Sequence, residues 1–286
     1  MIRSTGRNLP IFGILALVRH VKIAAIVAGL LVVAAACSNG GEADSPMPTP
    51  NSEDAAMPNT LTVAEAADGW TLLFDGATMA GWRGLGRDDI PNGHWVVEDG
   101  TLRKVDSGQV PTAADGQPLE GGDIMTIEAY ENFELSFEWK VAPGANSGIK
   151  YNVSEALSMA NPPRSAALGF EYQILDDDLH PDARNGPNRT AAALYDLMGP
   201  GDSKSLRPVG EFNEARVVLR GTHGEHWLNG QKVLEFDLAT PEFEALLAAS
   251  KYAPVAGFAD KRAGHIVLQD HGNDVWFRNV KIRTIQ

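Results

Sequence analysis

The segment from Glu171 to His180 holds the side chains best suited to chemistry. Glu171 and Gln173 alternate with apolar residues, so a strand would present a carboxylate and an amide on one face, where both can bind hydroxyl groups. His180 follows in a polar stretch without apolar periodicity, and an imidazole titrates near neutral pH. His180 is therefore the strongest candidate for general acid–base chemistry, with a role in bracing its loop as the alternative.

Other polar residues could serve the same site or only support the structure. Arg189 and Tyr195 close the same block and could hold a ligand or brace the loop. His271 lies with Gln269 in a turn-forming stretch, where it is a second acid–base candidate or a structural residue.

Two further candidates lie upstream, the second of them on a predicted strand. Lys150 comes two residues after Gly148, whose missing side chain permits close approach of a ligand, so Lys150 is either a residue of the site or a surface lysine. Glu138 lies on the polar face of an alternating stretch, so it is either a base in a site or part of a solvated strand face.

Short strands must position these residues, because period-two alternation dominates the chain after Thr60. Asn229-Gly230 predicts a tight hairpin, and Thr240 is the expected N-cap of a short helix over Pro241–Ser250. The clearest predicted strands are Phe133–Lys140, Arg216–Arg220, Glu225–Asn229, Gln231–Phe236, and a pair formed by Ile266–Gln269 and Val275–Ile282. Many short strands with glycine-rich turns predict an all-β class: one β-sandwich domain, a jelly roll with few short helices, over residues 60–286.

The N-terminal sequence is typical of an export signal followed by a flexible tether. Residues 1–36 carry four basic side chains and no acidic one, and they end in the apolar run Ile23–Ala36 followed by Cys37. This pattern resembles a bacterial lipobox, with Ala34 where leucine is usual, and it predicts lipidation of Cys37. Residues 37–59, rich in proline, serine and asparagine, predict a flexible linker. We expect an exported protein anchored through its lipid on the periplasmic side of a membrane or at the cell surface. In a cell with two membranes the outer one is favoured, because Ser38 is not an aspartate retention signal.

Composition and absent motifs exclude several function classes. A formal charge of −13 without a basic block makes nucleic acid an unsuitable partner, and one cysteine excludes an internal disulfide or a cysteine-rich zinc module. No G-x-G-x-x-G follows a strand, so no NAD site is predicted, and the Walker, H-E-x-x-H and G-x-S-x-G motifs are missing.

Five blocks of the chain, in order, resemble the 3-keto-disaccharide hydrolase domain family. They are WTLLFDGATMAGWRG (70–84), GGDIMTIEAYENFELSFEWKVAPGANSGIKYNV (121–153), GFEYQILDDDLHPDARNGPNRTAAALYDL (169–197), EHWLNGQKVLEF (225–236) and LQDHGNDVWFRNVKI (268–282). The resemblance implies a concanavalin-like jelly roll and hydrolysis of glycosides or disaccharides oxidised at the sugar C3.

Such a reaction needs three groups: a base near C2, a cation or donor at the C3 oxygen, and an acid at the leaving oxygen. The predicted catalytic residues are His180, Glu138, Glu171 and Lys150, the last as a partner of the enolate. The predicted substrate-binding residues are Gln173, Asp123, Asn146, Arg189, Tyr195, Gln269 and His271. No cofactor is firmly implied, although a divalent metal could fill the second role. A separate sugar 3-oxidoreductase would supply the ketone.

Two other functions fit the same fold. One is a non-catalytic carbohydrate-binding module, and the other is a conventional two-carboxylate glycoside hydrolase. The second is weakened because Glu134 and Glu138 flank Ser136 and do not form an E-x-D-x-x-E pattern.

Overall fold

Two antiparallel sheets form the framework of the part of the chain that the structure describes. The computed structural model describes residues 57–106, 108, 110, 112–114, 116, 121–161 and 166–286. The predicted signal segment and Cys37 lie outside these residues. Among the described residues, no helix has the length and apolar character needed to cross a membrane.

The larger sheet has eight strands and the smaller sheet has five. The strands of the larger sheet are β1 (Thr71–Leu72), β3 (Trp95–Glu98), β4 (Thr101–Lys104), β6 (Phe133–Val141), β9 (Asn213–Arg220), β10 (His223–Leu228), β11 (Gln231–Asp237) and β13 (Val275–Thr284). The strands of the smaller sheet are β2 (Trp82–Gly84), β5 (Ile124–Thr126), β7 (Asn146–Val153), β8 (Phe170–Leu175) and β12 (His265–Leu268). The order is β11-β10-β9-β6-β13-β4-β3, with β1 beside β13, in the first sheet and β2-β5-β12-β7-β8 in the second.

Alternating apolar side chains on both sheets form the core. In β6, Phe133, Phe137 and Trp139 are buried, as the alternation predicts. Phe137 packs edge-on against Tyr172 of β8, with ring centroids 5.4 Å apart, so the two sheets meet through aromatic side chains.

Helices are few and short: α1 (Val63–Ala67), α2 (Glu155–Ala160) and α3 (Pro241–Ala249), with 3-10 turns at Pro181–Asn185 and Pro187–Arg189. The Thr240 hydroxyl accepts the N–H of Phe243 at 3.2 Å, which confirms the predicted cap of α3. Asn229 and Gly230 have φ values of 47° and 80°, as a two-residue hairpin between β10 and β11 requires. The prediction of an all-β jelly-roll sandwich with few helices is confirmed.

The predicted pairing of the last two strands is wrong. β12 lies between β5 and β7 in the five-stranded sheet, whereas β13 lies between β6 and β4 in the other sheet. The segment from Gln269 to Asp274 therefore crosses from one sheet to the other. A few extended residues are enough to span the roughly 10 Å between packed sheets, so local sequence does not distinguish this crossing from a hairpin turn.

Candidate functional site

The outer face of the five-stranded sheet is polar and yet buried. Lys150 on β7 is directly opposite Glu171 on β8, and Gly148 is opposite Gln173, so the polar side chains of both strands share one face. Six of the residues predicted from sequence lie on this face or at its strand ends, each at most 6% exposed: Asp123, Asn146, Lys150, Glu171, Gln173 and Gln269.

The loop after β8 returns along the sheet edge and covers this face. The Gln173 N–H donates to the Ala193 oxygen at 3.1 Å, and the Ala192 N–H donates to the Gln173 oxygen at 2.8 Å. The Tyr195 N–H donates to the Glu171 oxygen at 3.0 Å. These backbone bonds bring the phenol of Tyr195 over the polar face.

A cavity of about 490 Å³ lies between this loop and the sheet. The structure brings together five of the residues predicted from sequence in its lining: Asn146, His180, Arg189, Tyr195 and His271. The remaining lining residues are Ala114, Pro181, Asp182, Asn185 and Lys251. This volume is in the range of small-ligand sites in proteins.

Glu171 lies beneath the cavity lining, close enough to interact electrostatically with the lining residues Lys251 and Asp182. Burial raises its pKa, and the positive charges of Lys150 and Lys251 oppose that rise. The carboxylate lies over Gly148, where an added Cβ would come within 2.2 Å of Glu171 Oε1. Gly148 thus makes room for the carboxylate of Glu171, a function that differs from the close ligand approach predicted from sequence.

Lys150 extends along the sheet, below the cavity. Its Nζ donates to the Ala167 oxygen at 3.1 Å and lies 3.8 Å from Asp123 Oδ2. Asp123 accepts the N–H groups of Ala167 and Asp270 at 2.9 Å and 2.8 Å, and burial raises its pKa against the charge of Lys150. Lys150 and Asp123 therefore form a supporting layer beneath the lining residues.

His180 is held in one tautomer by its own backbone. It caps the 3-10 turn at Pro181–Asn185, where its Nδ1 accepts the N–H of Asp182 at 3.2 Å. Because a backbone N–H is always a donor, Nδ1 carries no proton and Nε2 carries the proton of the neutral ring. Burial lowers the pKa of His180, with Asp182 and Asp176 acting in opposition, and this favours the neutral form. Its ring lies 5.8 Å from that of His271, between centroids.

Arg189, Tyr195 and Asp182 form a connected wall. The Arg189 guanidinium donates to the Tyr195 hydroxyl at 2.8 Å, and this hydroxyl donates to Asp182 Oδ2 at 2.8 Å. Lys251 Nζ lies 4.2 Å from the centroid of the Tyr195 ring. Burial lowers the pKa of Lys251, and the negative charge of Glu171 opposes that fall.

Two buried acceptors in this region have no protein partner. Asn146 Oδ1 and Gln269 Oε1 make no hydrogen bond to the residues that the structure describes. Asn146 lines the cavity, and Gln269 is joined to Gly148 of the cavity sheet by its backbone N–H at 2.9 Å. Because unpaired buried acceptors are costly, both oxygens fit a ligand that donates hydroxyl groups.

The structure does not bring Glu138 to this site. Glu138 lies on the outer face of β6 in the eight-stranded sheet, where it accepts from Arg278 at 2.8 Å and from Asn279 at 2.5 Å. The alternation of β6 correctly placed it on a polar face, but that face belongs to the other sheet. Of the two alternatives predicted for Glu138, the structure supports the solvated strand face, where Glu138 is ion-paired.

Of the five lining residues that sequence reasoning missed, two are charged, Lys251 and Asp182. Asp182 lies two residues after His180 in the sequence, and this short separation could have identified it as part of the same site. Lys251 follows α3 in a stretch without a motif, and only the tertiary structure carries it to Glu171.

Among the described residues, one group has metal-ligand geometry. It comprises His223, Glu225 and Glu235, whose ligand atoms lie within 4.8 Å of one another on β10 and β11. Lys232 Nζ forms ion pairs with both glutamates, so a lysine already occupies the carboxylate oxygens and offsets part of their charge. This group fits a metal poorly and lies on the eight-stranded sheet, outside the cavity lining.

Comparisons with known proteins agree with the observed fold and with the family resemblance of the five sequence segments described above. The profile of the 3-keto-alpha-glucoside-1,2-lyase-like domain family matches residues 69–283. A 3-keto-disaccharide hydrolase of Bacteroides thetaiotaomicron is 38% identical over 251 residues, which are 81% of this chain and 83% of that protein.

Solved structures of two Parabacteroides distasonis proteins assigned to the glycosyl hydrolases are also similar. The first is 30% identical with a TM-score of 0.69 and is covered over 100% of its length by 80% of this chain. The second is 26% identical with a TM-score of 0.56, covering 76% of this chain and 99% of the other. With a profile match over most of its length, this chain belongs to the family of 3-keto-alpha-glucoside-1,2-lyase-like domains, a family of glycoside-cleaving enzymes.

Proposed function

We propose that this protein hydrolyses 3-keto-disaccharides and related 3-keto-glycosides in the cavity above the five-stranded sheet. The observation that carries the proposal is the convergence of His180, His271 and Lys251 on one cavity, over the buried carboxylate of Glu171. The family and the 3-keto-disaccharide hydrolase relative supply the substrate class.

The first step is removal of the proton at C2, which the C3 ketone acidifies. Glu171 is the base, because burial raises its pKa and makes its carboxylate a stronger proton acceptor than an exposed glutamate. The electron pair of the broken C–H bond moves into an enolate whose negative charge rests on the C3 oxygen.

That developing charge needs donors, and the cavity offers two. Lys251 supplies a positive charge from within the lining, and His180 supplies the Nε2–H of a neutral ring. Fixed donors of this kind stabilise an oxyanion without reorganising during the reaction. His180 thus acts as a hydrogen-bond donor, which is narrower than the general acid–base role expected from sequence.

The enolate then collapses to a C1=C2 double bond as the C1–O bond breaks. His271 donates a proton to the leaving oxygen, so the released alcohol is neutral. In the reverse sense His271 then takes a proton from water, whose hydroxyl adds to C1, and Glu171 returns its proton to C2, which gives a free 3-keto sugar and restores both residues. The net reaction is hydrolysis, and Asn146 and Gln269 hold the sugar through its hydroxyl groups.

The test compares a 3-keto-glucoside with its unoxidised parent, each incubated with the purified domain. We expect cleavage of the ketone alone, and incorporation of solvent deuterium at C2 of the product would report the proton abstraction. Cleavage of the parent would identify a conventional glycosidase. Binding without turnover would identify a carbohydrate-binding module.

For the whole chain we propose a lipid-anchored, exported enzyme that acts after a separate sugar 3-oxidoreductase. The support is the sequence pattern: a signal over 1–36, lipidation at Cys37, a tether over 37–59 and a catalytic domain over 60–286. Cys37→Ser should release the protein from the membrane fraction and abolish labelling with a fatty-acid analogue. Unchanged fractionation and labelling would contradict the anchor.

A further inference from the structure

A buried ion cluster lies under the turn that carries Gln269 and His271. Asp270, between them, has a side chain that is 0% exposed. Its Oδ1 lies 3.0 Å from Lys104 Nζ, and its Oδ2 contacts His94 Nδ1. Lys104 is 1% exposed and His94 is 6% exposed, so the contacts of all three residues are shielded from water.

The cluster links the turn to distant parts of the chain. Lys104 is the last residue of β4 in the eight-stranded sheet, and His94 precedes β3 of the same sheet. Asp270 Oδ1 also accepts the Gly272 N–H at 2.8 Å, and the Asp270 N–H donates to Asp123 Oδ1 at 2.8 Å. The crossing turn between β12 and β13 is therefore held from both sheets.

Gly122 makes this arrangement possible. A Cβ at this position would lie 1.8 Å from Asp270 Oδ2 and 2.2 Å from His94 Nδ1. The backbone at Gly122 thus packs directly against the contact between Asp270 and His94. The Asp270 carboxylate therefore has no room to move toward Gly122.

Stability alone is a weak reason for such a cluster. Buried ion pairs are often replaceable by neutral groups without loss of stability, because desolvation offsets their attraction. What charge-assisted bonds supply is a fixed geometry, since they are shorter and more directional than neutral bonds. The neighbours of Asp270 are Gln269, with its unpaired acceptor, and His271 in the cavity lining.

We propose that His94, Lys104 and Asp270 are positioning residues that hold Gln269 and His271 in place for the reaction. This inference rests on the proposed function for its catalytic consequence. That these three residues hold the turn over residues 269–273 in place is a statement about geometry, and it can be tested without substrate.

The experiment separates positioning from stability with the double variant Asp270→Asn/Lys104→Met. The single Asp270→Asn leaves the Lys104 ammonium uncompensated and should lower Tm by about 10 °C. The double variant leaves no unpaired charge, so its Tm should recover most of that loss. Its kcat should nevertheless stay about 100-fold below wild type, because the turn is no longer fixed.

The control is the double variant Arg83→Met/Glu155→Gln, which removes an ion pair between β2 of the five-stranded sheet and α2. Arg83 and Glu155 form a bidentate pair at 2.6 Å and 2.8 Å, and neither residue lines the cavity. This variant should keep the wild-type kcat.

Two outcomes would overturn the proposal. One is a double variant of Asp270 and Lys104 that regains both Tm and kcat, which would make the cluster a stability feature. The other is unchanged hydrogen exchange over residues 269–273, where we expect exchange at least about tenfold faster in the double variant. If the wild-type protein does not cleave the 3-keto-glucoside, the proposed function is wrong. Hydrogen exchange over residues 269–273 still tests whether the cluster holds the turn.

Discussion

At the scale of single residues, two glutamates with the same alternating pattern lie in different surroundings. Glu171→Gln removes the proposed base and should lower kcat by at least about 100-fold. Glu138→Gln, on the outer face of the other sheet, should leave kcat unchanged. Initial rates with a 3-keto-glucoside measure both, and a similar loss in the two variants would contradict the assignment of the site.

The pH dependence of the wild type follows from the same residue. A base must be ionised to accept a proton, and burial raises the pKa of Glu171. The value of kcat/KM should therefore rise with pH through an apparent pKa above the ordinary glutamate range, with activity lost on the acid side. An apparent pKa of kcat/KM at or below the ordinary glutamate range would show that a group other than Glu171 titrates.

His180 offers a substitution that separates its two contacts. His180→Asn keeps a side-chain acceptor for the Asp182 N–H, because asparagine is a good cap, and it removes the Nε2–H donor. We expect kcat to fall by about 100-fold while Tm and the circular dichroism spectrum stay unchanged. A wild-type rate would reject the donor role, and a lower Tm would show that the cap was lost.

At the scale of elements, β7 and β8 set the position of the proposed base. Gly148→Ala places a Cβ 2.2 Å from Glu171 Oε1 and 2.9 Å from its Cγ and Cδ, so the side chain of Glu171 must shift from its present position. The displaced base should lower kcat by about 100-fold. Gly201→Ala is the matched control, since its Cβ would meet Val233 O at an ordinary 3.5 Å. Equal kcat values for the two variants would place Glu171 outside the chemistry.

Elements were predictable where local patterns determine them. The alternation of β6, the Asn229-Gly230 hairpin and the Thr240 cap are set by side-chain spacing and by backbone preferences. The crossing between β12 and β13 was not predictable, because pairing depends on contacts far apart in sequence. The same limit applies to the site: His180 and Glu171 stand out by type and spacing, whereas Lys251 and Lys104 reach it only through the tertiary fold.

At the scale of the whole molecule, one histidine joins the two sheets through the core. His226 of β10 is 0% exposed, its Nε2 lies 2.8 Å from the Tyr151 hydroxyl of β7, and its Nδ1 lies 3.0 Å from the Ala192 oxygen. Nδ1 must carry a proton to donate to that carbonyl, so in the neutral ring Nε2 accepts from Tyr151. Burial lowers the pKa of His226 to about 4, against the opposing effect of the Ala192 carbonyl.

This shift makes the stability of the sandwich depend on pH with a definite sign. The unfolded chain binds a proton at this histidine below about pH 6.5, and the folded chain does so only near its lowered pKa. The free energy of unfolding should therefore fall by about 3 kcal/mol as pH drops from 7 to 4 on account of His226 alone. Urea denaturation at several pH values measures the slope, and His226→Gln isolates this residue because its amide can still accept from Tyr151. Parallel pH slopes in the variant and the wild type would contradict a neutral buried His226, whereas a shallower slope in the variant would show that protonation of this bridge weakens the sandwich in acid.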